Sequence, residues 1–149
     1  IVMASGTICV DASVAAKWLL REGDRQRALA LRSDVLRSGG RIVAPDQLIP
    51  EVTSAIYKKC QVGQIRMELG RLLVAGAGQL AVDAVSVPGL PLRAFEIAAQ
   101  FQLKWIYDAF YVALAEIIGC DLWTADEALH AAVRGAHTNV RLLSDYPLA

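Results

Sequence analysis

An α/β fold, with helices crossing over a parallel sheet of four or five strands, is predicted by three observations. Short strand-like runs alternate with longer helix-like segments along the whole chain. The 149 residues fit one domain, and an apolar fraction of 55% against 20% charged residues provides an ample core. No repeat, low-complexity tract or long linker divides the chain. Gly76 to Pro91 is the one weak stretch, and it contains a strand-like run of its own. The expectation is a single domain over residues 1–149, with its core at about 7–143.

Each element has a local cause. Thr7 to Asp11 is a β-branched run that reads as a buried strand. Ser13 is placed to cap the helix that follows, Val14 to Leu20. Gly23-Asp24 breaks that helix, a second runs to about Ser38, and Gly39-Gly40 stops it. Arg41 to Ala44 is a short strand, and Pro45-Asp46 opens a helix to about Cys60, with Pro50 in its first turn. Gly63 precedes a helix at about 64–76, and Gln79 to Val87 is strand-like. Pro88, Gly89 and Pro91 mark a turn before a helix at about 91–103. Tyr107 to Ile118 is the most apolar helix, ended by Gly119. Asp121 to Thr124 is a strand, residues 126–134 a short helix, and Val140 to Leu143 the last strand.

Composition excludes several classes. No run approaches the roughly 18 apolar residues of a membrane helix. The apolar opening carries Asp11 and Lys17 without a basic start, unlike a signal peptide. A cytoplasmic protein is expected, and Ile1-Val2 ahead of Met3 reads as an alternative start or an expression remnant. Cys9, Cys60 and Cys120 are odd in number and lack a CxxC partner, so they read as buried reduced thiols. Net charge is zero but uneven: residues 1–75 carry 11 Lys/Arg against 7 Asp/Glu, and residues 76–149 carry 4 against 8. The total does not announce a nucleic-acid binder. A local basic face remains open through Lys17, Arg21, Arg25, Arg27, Lys58, Lys59 and Arg66, beside the alternative of solvated helix faces.

Four acids stand in apolar surroundings. Asp11 and Asp126 each follow a strand. Glu51 and Asp108 each lie near the start of a helix, where the dipole favours an anion. In open parallel sheets, sites form beyond the carboxyl ends of strands, where strand order reverses. If the first and fourth strands are neighbours, all four acids share that edge. Two like charges about 4 Å apart cost roughly 4 kcal/mol at an effective dielectric of 20. A hard divalent cation such as Mg²⁺ or Mn²⁺ removes that cost. Innocent roles are also available: Asp108 pairing with Lys104, Asp126 capping its helix, Asp11 bonding the amides near Ser13. Glu116, two turns beyond Asp108, is a candidate fifth acid, but its distance from the edge favours a structural role.

These residues resemble the PIN-domain nucleases, especially the VapC-type toxins. Asp11-Ala-Ser-Val-Ala-Ala-Lys-Trp18 looks like the opening motif. Pro50-Glu51-Val-Thr-Ser-Ala-Ile56 is similar to the second, Tyr107-Asp-Ala-Phe-Tyr-Val-Ala-Leu-Ala-Glu116 to the third, and Leu122-Trp-Thr-Ala-Asp126 to the fourth. The resemblance spans about residues 7–143. It implies a single-domain α/β/α sandwich, a Mg²⁺- or Mn²⁺-dependent ribonuclease, a homodimer, and a cognate VapB-type antitoxin whose tail blocks the site. Asp11, Glu51, Asp108 and Asp126 fall on the family's acidic positions as catalytic residues and metal ligands. Thr124 and Ser13 fall on supporting hydroxyl positions. Ser54 departs from the family, where many members carry Asn.

The expected reaction is hydrolysis of an RNA phosphodiester by a water activated between one or two metals. Lys17 or Arg21 is a candidate phosphate contact, although Arg21 has Glu22 and Asp24 as nearby ion-pair partners. His130 and His137 read as surface residues at helix ends. A haloacid-type phosphatase is disfavoured because Ala12-Ser13, not a DxD, follows Asp11, and a receiver because its paired acid and late lysine are missing. The alternatives left are a non-toxin PIN nuclease in RNA processing and an acid-pocket module that binds a basic partner peptide.

Overall fold

A computed structural model describes residues 6–149, so Ile1 to Met3 lie outside the described residues. The order is β1 (Thr7–Val10), α1 (Ala12–Leu19), α2 (Arg25–Arg37), β2 (Arg41–Ala44), α3 (Leu48–Gln61), α4 (Met67–Ala77), β3 (Val82–Ala84), α5 (Leu90–Phe101), α6 (Ile106–Ile118), β4 (Asp121–Thr124), α7 (Glu127–Val133) and β5 (Val140–Leu142). A 3₁₀ turn, Leu143–Asp145, follows. The five strands form one sheet in the order β3-β2-β1-β4-β5, and every pairing is parallel.

Ile8, Cys9 and Val10 on β1, and Leu122, Trp123 and Thr124 on β4, are all buried, as strands covered on both faces require. Helices α1 to α4 pack in a chain of neighbours, α1 on α2 and α3, and α3 on α4, while α5 and α6 form the tightest helix pair. The chain walks outward from β1 to β2 and β3, then returns to place β4 on the other side of β1. That reversal makes the β1/β4 junction the switch point of the sheet. Right-handed crossovers then put the outward and returning helices on opposite faces.

Two glycines are needed for close geometry. Gly40 enters β2 beside Gly6, where an added Cβ would stand 2.3 Å from the Gly6 carbonyl oxygen. Gly119 ends α6 at φ 81°, and its N–H donates to the Ala115 carbonyl. Both outer strands are three residues long, and each is tied to its inner neighbour by an ion pair: Arg41 with Asp83 at 2.9 Å and Arg141 with Asp121 at 2.7 Å.

Several sequence expectations shift. The run Gln79–Val87 yields only three strand residues, because β3 pairs on one side alone. Ser13 is not the cap of α1. The strand stops at Val10, so Asp11 takes that place and accepts from the Val14 N–H at 3.2 Å. His137 is buried, not a surface residue: it meets Phe101 edge-on at 5.5 Å and lies 3.9 Å from Glu116, and burial holds its pKa down. Glu116 is structural, with both its oxygens taken by Arg93 at 2.6 and 2.8 Å. Cys9 is buried, whereas Cys60 and Cys120 are partly exposed, and all three are free thiols.

Candidate active site

The Asp11 N–H donates to the Trp123 carbonyl at 3.3 Å, extending the β1–β4 ladder by one bond. This fixes Asp11 at the switch point, where it also starts α1. Its carboxylate is 5% exposed and accepts three hydrogen bonds: Ser13 Oγ donates to Oδ1 at 2.5 Å, the Val14 N–H also reaches Oδ1, and Thr124 Oγ1 donates to Oδ2 at 2.5 Å. The two hydroxyls are themselves held. The Ala125 N–H donates to Ser13 Oγ at 2.8 Å, and the Asp126 N–H donates to Thr124 Oγ1 at 3.0 Å. Asp126 then caps α7 by accepting from the Leu129 N–H at 3.0 Å. The turns after β1 and β4 are thus one polar network anchored on Asp11.

Glu51 and Asp108 arrive differently, from the first turns of α3 and α6. Glu51 accepts a hydrogen bond from the Tyr111 hydroxyl, which stands one turn along α6 from Asp108. Among the described residues no side chain or backbone N–H donates to the Asp108 carboxylate. Lys104, its sequence-expected partner, lies over the Trp105 ring instead, 5.2 Å from the centroid.

The electrostatics follow from this wiring. Burial pushes the Asp11 carboxyl up to about 6, against the pull of its three donors, and Asp126 adds repulsion. Asp108 also rises to about 6, first through burial and then through repulsion from Asp126, Asp11 and Glu51. Glu51 is raised by burial, partly offset by Tyr111. The Tyr111 hydroxyl is pushed up by burial and by its acidic partner, so it stays a donor.

These side chains line one cleft of about 320 Å³. Its wall brings together Asp11, Ser13, Glu51, Asp108 and Asp126, with Tyr111, Ser54 and Lys58 beside them. Thr124 is fully buried beneath Asp11. Lys17 and Arg21 are not in the wall. Lys17 pairs with Glu22 at 3.4 Å, and Arg21 borders a separate groove with Arg25 and Lys59. A larger cavity of about 650 Å³ opens by Gly6, Gly119 and Thr138, at the amino ends of the strands. That is the wrong edge for a parallel-sheet site, and its Asp121 is already paired with Arg141.

The donor set suits a hard divalent cation: oxygen ligands alone, with two carboxyls whose negative charge is opposed by burial and by neighbouring acids. Among the described residues no three acidic, cysteine or histidine side chains close into a cage by themselves. An ion of the Mg²⁺ type, which keeps several waters, fits such an open arrangement. Sequence reasoning missed Tyr111 and the place of Lys58 in the wall. Helical spacing carried both signals, Tyr111 three residues after Asp108 and Lys58 seven after Glu51.

Residues 8–135 match the PIN domain family. The chain is 34% identical over 119 residues to ribonuclease VapC9 of Mycobacterium tuberculosis and to a VapC ribonuclease of Mycobacterium bovis, covering 80% of this chain and 85% of each relative. Among solved structures, PAE2754 from Pyrobaculum aerophilum superposes with a TM-score of 0.66 at 19% identity, over 93% of this chain and 92% of that one. VapC20 of M. tuberculosis, a toxin that cleaves the sarcin-ricin loop, does so with a TM-score of 0.64 at 15% identity, over 84% and 94%. The two structural likenesses speak to the fold.

Proposed function

This chain belongs to the PIN-domain family and stands with its VapC ribonucleases, and from that premise we propose that it is a metal-dependent endoribonuclease, the toxin of a VapBC-type pair. The observation that carries the reading is geometric: Asp11, Glu51, Asp108 and Asp126 line one cleft at the switch point of the sheet.

In this reading Asp11, Glu51, Asp108 and Asp126 hold Mg²⁺ or Mn²⁺. When bound, the cation supplies Lewis-acid polarisation of the phosphodiester and makes water a better nucleophile. The chain's own groups do the rest. Ser13 and Thr124 fix both oxygens of Asp11 in one orientation, and Tyr111 does the same for one oxygen of Glu51. Asp108, with no donor among the described residues, keeps both carboxylate oxygens free and would offer them to the cation. The substrate is RNA, and the partner is a VapB-type antitoxin whose basic tail lays guanidinium groups where the cation sits. A homodimer is part of the proposal.

The test is cleavage of a fluorescent RNA in Mn²⁺, repeated with EDTA and with Asp108→Asn. The expected outcome is cleavage that chelation and the substitution both remove. Cleavage that survives both sinks the metal mechanism. Among the described residues no helix is long and apolar enough to cross a membrane.

A further inference from the structure

The cleft wall is acidic, yet the proposed substrate is a polyanion. Its residues must therefore offer some cation to the RNA beyond the metal region. Among the described residues one cationic side chain lines the cleft, Lys58.

Most of the other cations singled out in the first half are engaged or border another groove. Lys17 pairs with Glu22, Arg27 with Asp24, and Arg66 with Glu68. Arg25 donates to the carbonyls of Lys17 and Trp18. Arg21 and Lys59 border the separate groove. Lys58 is exposed and makes no ion pair among the described residues. It also shares a face of α3 with Glu51 and Ser54, at helical spacings of i, i+3 and i+7. At 1.5 Å per residue, Lys58 lies roughly 10 Å along the helix from Glu51. The short Ser54 side chain lines the cleft between them.

We infer that Lys58 contacts a backbone phosphate of single-stranded RNA next to the scissile one, and so sets how the strand enters the cleft. This rests on the ribonuclease reading. Lysine suits the task as a mobile point charge that tolerates any base sequence. Lys58 does not touch the reacting atoms; it is a positioning residue for the strand.

The test compares the wild-type chain with Lys58→Ala, Lys58→Arg and Lys59→Ala. Binding of a single-stranded oligoribonucleotide is followed by fluorescence anisotropy across a salt series in Mn²⁺, with every chain carrying Asp108→Asn so that the strand is not cut. Lys58→Ala is expected to bind roughly 3- to 10-fold more weakly, with the slope of log affinity against log salt smaller by about 0.7. Lys58→Arg restores both, and Lys59→Ala, a control for bulk charge, changes neither. With Asp108 intact, Lys58→Ala raises KM far more than it lowers kcat, and the Mn²⁺-induced rise in Tm stays intact. Wild-type affinity and slope in Lys58→Ala, or an equal loss in Lys59→Ala, overturns the assignment. A wild-type chain that binds the oligonucleotide but never cleaves RNA in Mn²⁺ strikes the ribonuclease reading instead.

Discussion

The two halves of the acidic cleft are built on opposite plans. Around Asp11, the carboxylate is part of the fold: it caps α1, receives two hydroxyls, and ties the turn after β1 to the turn after β4. Around Asp108, the carboxylate is tolerated by the fold: burial and three acidic neighbours oppose its charge, and no donor among the described residues answers them. Both carboxyls end at about the same pKa, near 6. In the first case strong hydrogen bonds offset deep burial; in the second a shallower burial goes unopposed. Equal acidity therefore hides unequal architecture, and substitution separates the two.

The largest expected effect is that of Asp11→Ala. It removes a helix cap and strands two buried donors and one partly buried one, which costs about 2–4 kcal/mol in urea unfolding, and RNA cleavage falls by about 10³-fold or more. Asp108→Asn loses cleavage to a similar extent, yet its metal-free form unfolds no more easily than the wild-type chain. Equal destabilisation by the two changes would break the comparison.

The next effect is on pH. A carboxyl raised from 3.8 to about 6 binds more protons folded than unfolded between those values. The stability it contributes is fully present below pH 4 and lost as pH rises through about 6. Metal-free wild-type protein should thus show a higher Tm at pH 5 than at pH 7, and saturating Mn²⁺ should reduce that difference. In Asp108→Asn the pH dependence should shrink by about half. A Tm that climbs from pH 5 to 7 in the metal-free chain contradicts these assignments.

Thr124→Val is a smaller cut on the Asp11 side. It removes one donor from Asp11 and the acceptor of the Asp126 N–H, costing about 1–2 kcal/mol. With a donor gone, the Asp11 carboxyl rises further, so in the metal-free chain the loss of Tm with rising pH moves to higher pH. The smallest effect belongs to the other half. Tyr111→Phe frees one oxygen of Glu51, costs about 1 kcal/mol, and weakens the Mn²⁺ requirement curve several-fold without abolishing cleavage.

The fold was legible in the sequence where one local cause dominated. Asp121–Thr124 is a strand at the boundaries read from its apolar run, and the helix ended by Gly119 closes where a left-handed residue is required. It was less legible where neighbours decide. The run Gln79–Val87 looks extended throughout, but an edge position supports only three paired residues. Ser13 looks like a cap by type, yet Asp11 sits two residues nearer the strand end and is the stronger acceptor. His137 stands among polar residues in sequence and beside Phe101 in space. The four acids could be placed on one edge by chain logic alone. The hydroxyl wiring of Asp11, the lone state of Asp108 and the tyrosine behind Glu51 are tertiary facts that spacing only hints at.

The short outer strands carry a consequence for assembly. A sheet grows by offering a long, flat row of free amides and carbonyls to another chain. Here β3 and β5 are three residues each, and Arg41–Asp83 and Arg141–Asp121 place charge across both borders. Both features disfavour strand-by-strand extension into a continuous sheet or fibre. The large apolar side chains that do meet solvent lie on helices instead, with Leu72, Leu92 and Phe95 about two-thirds exposed.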